Sequence, residues 1–133
     1  MLKKTITYED YNGNEKTEDF YFNLSKAEIM EMELSVKGGL TALINQIVSS
    51  DDSPTIVKIF KDLILRSYGV KSLDGKRFMK EKPDGSRYAD EFKETEAYSI
   101  LFMELASDSE AAAKFVNGII PQDAAKQLAA QNK

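Results

Sequence analysis

The chain of 133 residues is the size of one ordinary domain, with 42% hydrophobic residues, 30% charged residues and a net charge of −4, and it is long enough to bury a core without metal or disulfide staples. It contains no cysteine and no histidine, which excludes disulfides, thiol nucleophiles, zinc-thiolate sites and the usual general base near neutral pH. The acidic balance argues against duplex nucleic acid as a partner, since that binding rests on clustered Lys and Arg, and no stretch approaches the roughly 18 apolar residues of a membrane span.

The first residues, MLKKTITYEDY, are polar where a signal peptide needs an apolar run, so the protein is expected to be made without export. Residues 3–9 and 15–22 alternate as two strands around Asn12-Gly13-Asn14, a hairpin signal. A two-residue Asn12-Gly13 turn would set Ile6 opposite Asp19. A three-residue loop sets Ile6 opposite Phe20 and Lys4 opposite Phe22, and gathers Ile6, Tyr8, Phe20 and Phe22 on one face. The longer loop is preferred, because a one-residue slip would divide that face between core and water. The aromatic face should lie on helices or extend a sheet elsewhere.

Ser25 as N-cap, Glu28 three residues on, and Leu24 paired with Ile29 form a capping box with a hydrophobic staple. They open a helix over residues 26–36 that Gly38-Gly39 ends. Leu40, Leu43, Ile44, Ile47 and Val48 follow with the spacing of a short amphipathic helix. The central helix is SPTIVKIFKDLILRSYG, residues 53–69, with Ile56, Val57, Ile59, Phe60, Leu63, Ile64, Leu65 and Tyr68 so dense that it should contact neighbours on more than one side. Ser53 is its N-cap, Pro54 suits its first position, and Gly69 is expected to stop it in the left-handed conformation. Turn residues at Asp74-Gly75, Pro83 and Asp84-Gly85 then predict a long ordered loop or a small second hairpin. Residues 88–106 carry a helical stripe of Tyr88, Phe92, Thr95, Tyr98, Leu101, Phe102 and Leu105, widened by Ile100 and Met103. A second capping box at Ser107-Asp108-Ser109-Glu110 opens a last helix with Ala112, Phe115, Val116 and Ile119 inward, closed by Gly118 and Pro121. The fold class expected is therefore α+β: about five helices with an N-terminal hairpin (1–23) in one domain (1–121), and a C-terminal tail (122–133).

No catalytic, cofactor-binding or metal-binding constellation emerges. Asp51-Asp52 reads as a helix-preceding cap and Asp90, Glu91, Glu94 and Glu96 as a solvated acidic face; neither has calcium-loop spacing. The glycine pairs do not form a phosphate-binding loop. Between Lys71 and Arg87 six basic residues stand against three acidic ones, a local +3 that leaves −7 on the remainder, and such a dipole could seat an acidic partner or a neighbouring copy. Met30 and Met32 could form an adaptable partner surface or fill core gaps, as Met repacks readily. The hairpin aromatics fit packing better than a single-strand nucleic acid platform, for want of a cationic groove.

Two runs, NGNEKTEDFYFNLSKAEIMEMEL (residues 12–34) and EFKETEAYSILFMELASDSEAAAKFVNGIIP (residues 91–121), resemble the tail assembly chaperones of long-tailed bacteriophages and prophages of Gram-positive bacteria. The similarity spans nearly the whole chain up to Pro121 and is one of pattern and order, without site motifs. It implies a non-enzymatic assembly factor of the host bacterial cytoplasm, absent from the mature virion. Such a factor coats and solubilises the tape measure protein and helps recruit tail tube protein, in part through a frameshifted longer product. Self-association is expected; nucleic acid and membrane partners are not. The partner-binding residues expected are Met30, Met32 and Leu34 with Leu128 of the tail, and Lys76, Arg77 and Lys80 toward a neighbour or an acidic client segment. The alternative is a structural tail-completion or connector protein forming a ring; a small carboxylate-dependent enzyme comes third.

Overall fold

A computed structural model describes residues 1–35 and 53–121. The expected glycine stop, the helix at residues 40–48, Asp51-Asp52 and the tail at residues 122–133 lie outside the described residues. The elements in chain order are β1 (Leu2–Glu9), β2 (Glu15–Phe22), α1 (Lys26–Ser35), α2 (Ser53–Ser67), β3 (Tyr68–Lys71), β4 (Phe78–Met79), α3 (Tyr88–Phe92), α4 (Glu96–Ser107) and α5 (Ser109–Ile119). The class is α+β, with an N-terminal antiparallel hairpin and five helices among the described residues. The strands form one antiparallel sheet in the order β1-β2-β3-β4.

The hairpin face is as expected, with Ile6, Phe20 and Phe22 buried and Leu2 and Tyr8 packed against the same core. Its register is not. Ile6 lies opposite Glu18, and Phe20 opposite Lys4, a slip of two residues that leaves every side chain on its face because the strand period is two. The cause is a five-residue connection, residues 10–14, in place of three. Asp10 Oδ1 accepts the N–H groups of Asn12 and Asn14 at 2.9 Å each, and the Asp10 N–H donates to Asn14 O at 2.8 Å. Gly13 takes φ 84° there, the left-handed region in which glycine is unstrained. Those amide bonds hold the Asp10 carboxyl below its ordinary pKa, with Lys16 assisting at 3.3 Å.

The Ser25 capping box is present: Ser25 N–H donates to Glu28 Oε1 at 3.0 Å and Glu28 N–H to Ser25 Oγ at 3.2 Å. Leu24 and Ile29 are both buried. Helix α2 buries Ile59, Phe60, Leu63 and Ile64 in the core, but it does not end on a left-handed glycine. It passes straight into β3, whose Tyr68 and Gly69 pair with Phe22 and Tyr21 of the hairpin. Gly69 is needed for closeness: a Cβ there would stand 2.7 Å from the Phe78 ring and 2.9 Å from Met79 O. Of the two forms open for the following segment, the small hairpin is the one adopted, Val70 pairing with Met79 and Lys71 with Phe78.

The single helix expected over residues 88–106 is two. Thr95 turns its hydroxyl onto Phe92 O at 2.7 Å and accepts the Tyr98 N–H at 3.2 Å, so it ends one turn and caps the next. The next cap is also displaced by one residue. Ser107 remains inside α4, bonded to Met103 O at 2.6 Å, and Asp108 accepts the N–H groups of Glu110 and Ala111. The inward set of α5, Ala112, Phe115, Val116 and Ile119, is buried as expected. Gly118 does not close that helix; it lies within it, where a Cβ would come 2.9 Å from Leu2 of β1.

The helix break serves the core. Phe92 stacks on Tyr68 at 4.3 Å between centroids and meets Phe20, Phe22 and Tyr98 at 5.2–5.8 Å, so one ring joins hairpin, β3 and α4. Tilted and edge contacts of this kind add about 0.5–1.5 kcal/mol each beyond area burial.

Candidate functional site

The expected partner residues divide into three groups. Met30 on α1 is 62% exposed beside the exposed Glu31, an apolar thioether on an acidic helix. Met32 and Leu34 belong to the same helix, but their side chains, like Leu128, fall outside the described residues. Lys76 and Arg77 are exposed on the connection between β3 and β4 and make no ion pair among the described residues. Asp74 and Gly75 shape that connection, Asp74 Oδ1 accepting the Lys76 N–H at 3.0 Å.

Lys80 is turned inward. Its ammonium donates to Glu28 Oε2 at 2.5 Å, Asn23 O at 2.7 Å and Arg66 O at 2.7 Å, tying the second hairpin to the start of α1 and the end of α2. Burial pushes the Lys80 pKa down, with Glu28 opposing. Burial also acts to raise Glu28, but the bonds from Lys80 and from the Ser25 N–H outweigh it and hold the carboxyl below its usual range. Both pKa values are lowered, that of Lys80 because its cation loses water and that of Glu28 because its anion gains donors. With three oxygens around the ammonium, the geometry is that of a structural tie.

Other cations of the basic segment are also engaged. Lys71 lies 4.4 Å above the Tyr21 ring, and Lys82 pairs with Glu91. The segment therefore presents Lys76 and Arg77 on the turn and Arg87 at its far end, all exposed and without an ion pair among the described residues, rather than one continuous +3 patch.

Two of the surface depressions among the described residues border α2. A cleft of about 610 Å³ is bordered by Leu24, Glu28, Glu31, Arg66, Arg87 and Asp90; Arg66 is paired with Asp62 at 2.9 Å and Glu28 with Lys80. A groove of about 430 Å³ lies between α2 and α4, floored by Val57, Tyr98, Phe102 and Met103 and flanked by Lys61 and Lys93. Val57 and Met103 are 42% and 62% exposed. Sequence reasoning placed these four side chains in core stripes. The available signal was the breadth of the stripes, wider than one helix contact covers.

No described helix is long and apolar enough to cross a membrane. No curated relative and no solved structure matches the chain. A family model of phage tail assembly chaperones matches residues 1–133, and the chain belongs to that family.

Proposed function

We propose that this phage tail assembly chaperone binds the phage tape measure protein, keeps it soluble, and helps recruit tail tube protein around it, without catalysing a reaction. The observation that carries the reading is the family match over residues 1–133. The protein acts in the host cytoplasm, several copies to a client, and is absent from the mature virion. Tube protein is recruited through a longer frameshifted product.

Surface chemistry supports the reading. A chaperone for a long helical client needs exposed apolar side chains on a stable frame, and Met30, Val57, Ile100 and Met103 are exposed around a core that is otherwise well buried. Repeated modest contacts along one client add through effective concentration. Met30 with Met32 and Leu34 of α1, Leu128 of the tail, and Lys76 and Arg77 remain the proposed partner residues; Lys80 acts there by holding the second hairpin against α1.

A ring-forming structural component is the competing reading, and the position of β1 at the sheet edge is the feature that favours it. Lys3 and Lys4 on that edge weigh against strand addition. Co-expression with the protein encoded just downstream separates the two. A long client that becomes soluble only with this chain, together with virions that lack the chain, supports the chaperone; stoichiometric presence in virions overturns it.

A further inference from the structure

We infer that the groove between α2 and α4 is a docking site for an amphipathic helix of the client whose apolar stripe is flanked by acidic residues. The inference rests on the chaperone reading and names a surface distinct from the α1 methionines.

The floor is apolar and adaptable. Val57, Tyr98, Phe102 and Met103 supply methyl, ring and thioether surface in a trough of about 430 Å³. Phe102 and Tyr98 are half-buried, their rings 5.9 Å apart, so the floor is anchored to the core. Met103 is exposed and flexible, and so can follow different side chains. A trough between two packed helices accepts a third helix through side chains at i, i+3, i+4 and i+7.

The rim selects the partner. Lys61 on α2 and Lys93 before α4 are exposed, and neither forms an ion pair among the described residues. Of the nearby acidic groups, Glu96 accepts the Tyr11 hydroxyl at 3.1 Å, Glu104 takes Lys4 at 3.1 Å and Asp62 takes Arg66, while Glu94, exposed and next to Lys93 in the chain, makes no ion pair with it. A protein of net charge −4 thus keeps two unanswered ammonium groups beside its apolar groove. Carboxylates flanking the stripe of an incoming helix would meet both, whereas lysines there would repel both. Rim charges of this type act more on selection and encounter than on total affinity.

The test uses the full chain and a designed helical peptide of roughly 18 residues, with leucines along one stripe and glutamates beside it, against the same peptide with lysines beside the stripe. Fluorescence anisotropy should show the glutamate peptide binding about tenfold more tightly. The double variant K61E/K93E, altered only at exposed positions, should reverse that preference, and Met103→Glu should weaken both peptides while thermal unfolding stays unchanged. Equal binding of both peptides, or a preference that survives the charge reversal, overturns the assignment. So does a concentration-dependent dimer that competes with the peptide and is lost in Met103→Glu, since the groove then belongs to a second copy. Client solubility is scored in parallel by co-expression. If the peptide pattern fails while the chain still keeps the tape measure protein soluble, the groove is wrong and the chaperone reading stands. Failure of the unaltered chain to keep the client soluble removes the chaperone reading, whatever the peptides do.

Discussion

Lys80→Met is the substitution that most directly tests how the second hairpin is held. The variant keeps most of the aliphatic stem but removes the ammonium, whose side chain is only 13% exposed and which serves Glu28, Asn23 O and Arg66 O at 2.5–2.7 Å. Each charge-assisted bond contributes about 1.5–3 kcal/mol when intact, and the acceptors left behind cost further unless water reaches them. Glu28 is 33% exposed on its side chain, so water recovers part of the loss. The expected net destabilisation is about 2–3 kcal/mol, a fall in Tm of roughly 6–12 °C for a domain of this size. Glu28→Gln isolates the charge, because Gln retains the capping function, and should cost about 1 kcal/mol, with a coupling of at least about 0.5 kcal/mol to Lys80→Met in a double-mutant cycle.

Urea denaturation followed by tyrosine fluorescence measures all four corners of that cycle. The pH dependence has a defined sign. The Glu28 pKa is depressed from 4.5, so its share of stability is present above that value and is lost as pH falls through its folded value. The Lys80 pKa is depressed from 10.5, so the cost of burying its charge is relieved as pH rises from the folded value toward 10.5. The gap between wild type and Lys80→Met should therefore narrow in acid. A cost below about 0.5 kcal/mol, or a gap that does not change in acid, would refute the tie and return Lys80 to the surface.

Three further outcomes are expected. Gly69→Ala should destabilise by about 1–3 kcal/mol, because the Phe78 ring can swing from a new Cβ but Met79 O, 2.9 Å away, belongs to the backbone; chemical denaturation checks it, and a neutral result would mean that β3 and β4 lie further apart. Asp108→Ala should cost about 1 kcal/mol and Ser107→Ala much less, the reverse of a cap at Ser107, as read from thermal unfolding of the two variants. The Tyr8 hydroxyl donates to Glu18, and that bond, with burial, pushes its pKa up to about 12. The stability it carries is present below pH 10.0 and lost as pH rises through about 12, and ultraviolet titration of Glu18→Gln should bring this tyrosine back toward its ordinary value.

Features governed by near neighbours in the chain were legible without a structure. The alternation of Ile6, Tyr8, Phe20 and Phe22 determined which hairpin face is buried, because strand period two is a property of the backbone. Ser25 and Glu28 determined where α1 begins, because a capping box closes within four residues. The inward set of α5 followed from spacing alone, and the pattern over residues 12–34 and 91–121 pointed to the family.

What the tertiary structure decided was every choice between partners of similar local quality. Loop length in the first hairpin is the local exception: three lengths would keep or exchange the faces, and the turn residues alone left them open until the Asp10 carboxylate, capping two amides within four residues, selected the longest. Residues 88–106 could continue as one helix, but a break at Thr95 is what sets Phe92 among Tyr68, Phe20 and Phe22. Gly69 could stop a helix or admit a neighbouring strand, and only the approach of β4 distinguishes the two. Lys80 could face solvent until Asn23 O, Arg66 O and Glu28 converge on it from three distant parts of the chain. The groove under Val57 and Met103 exists only between two packed helices; each stripe in isolation looks like core, and its excess width shows only when the neighbour that covers the rest is in place.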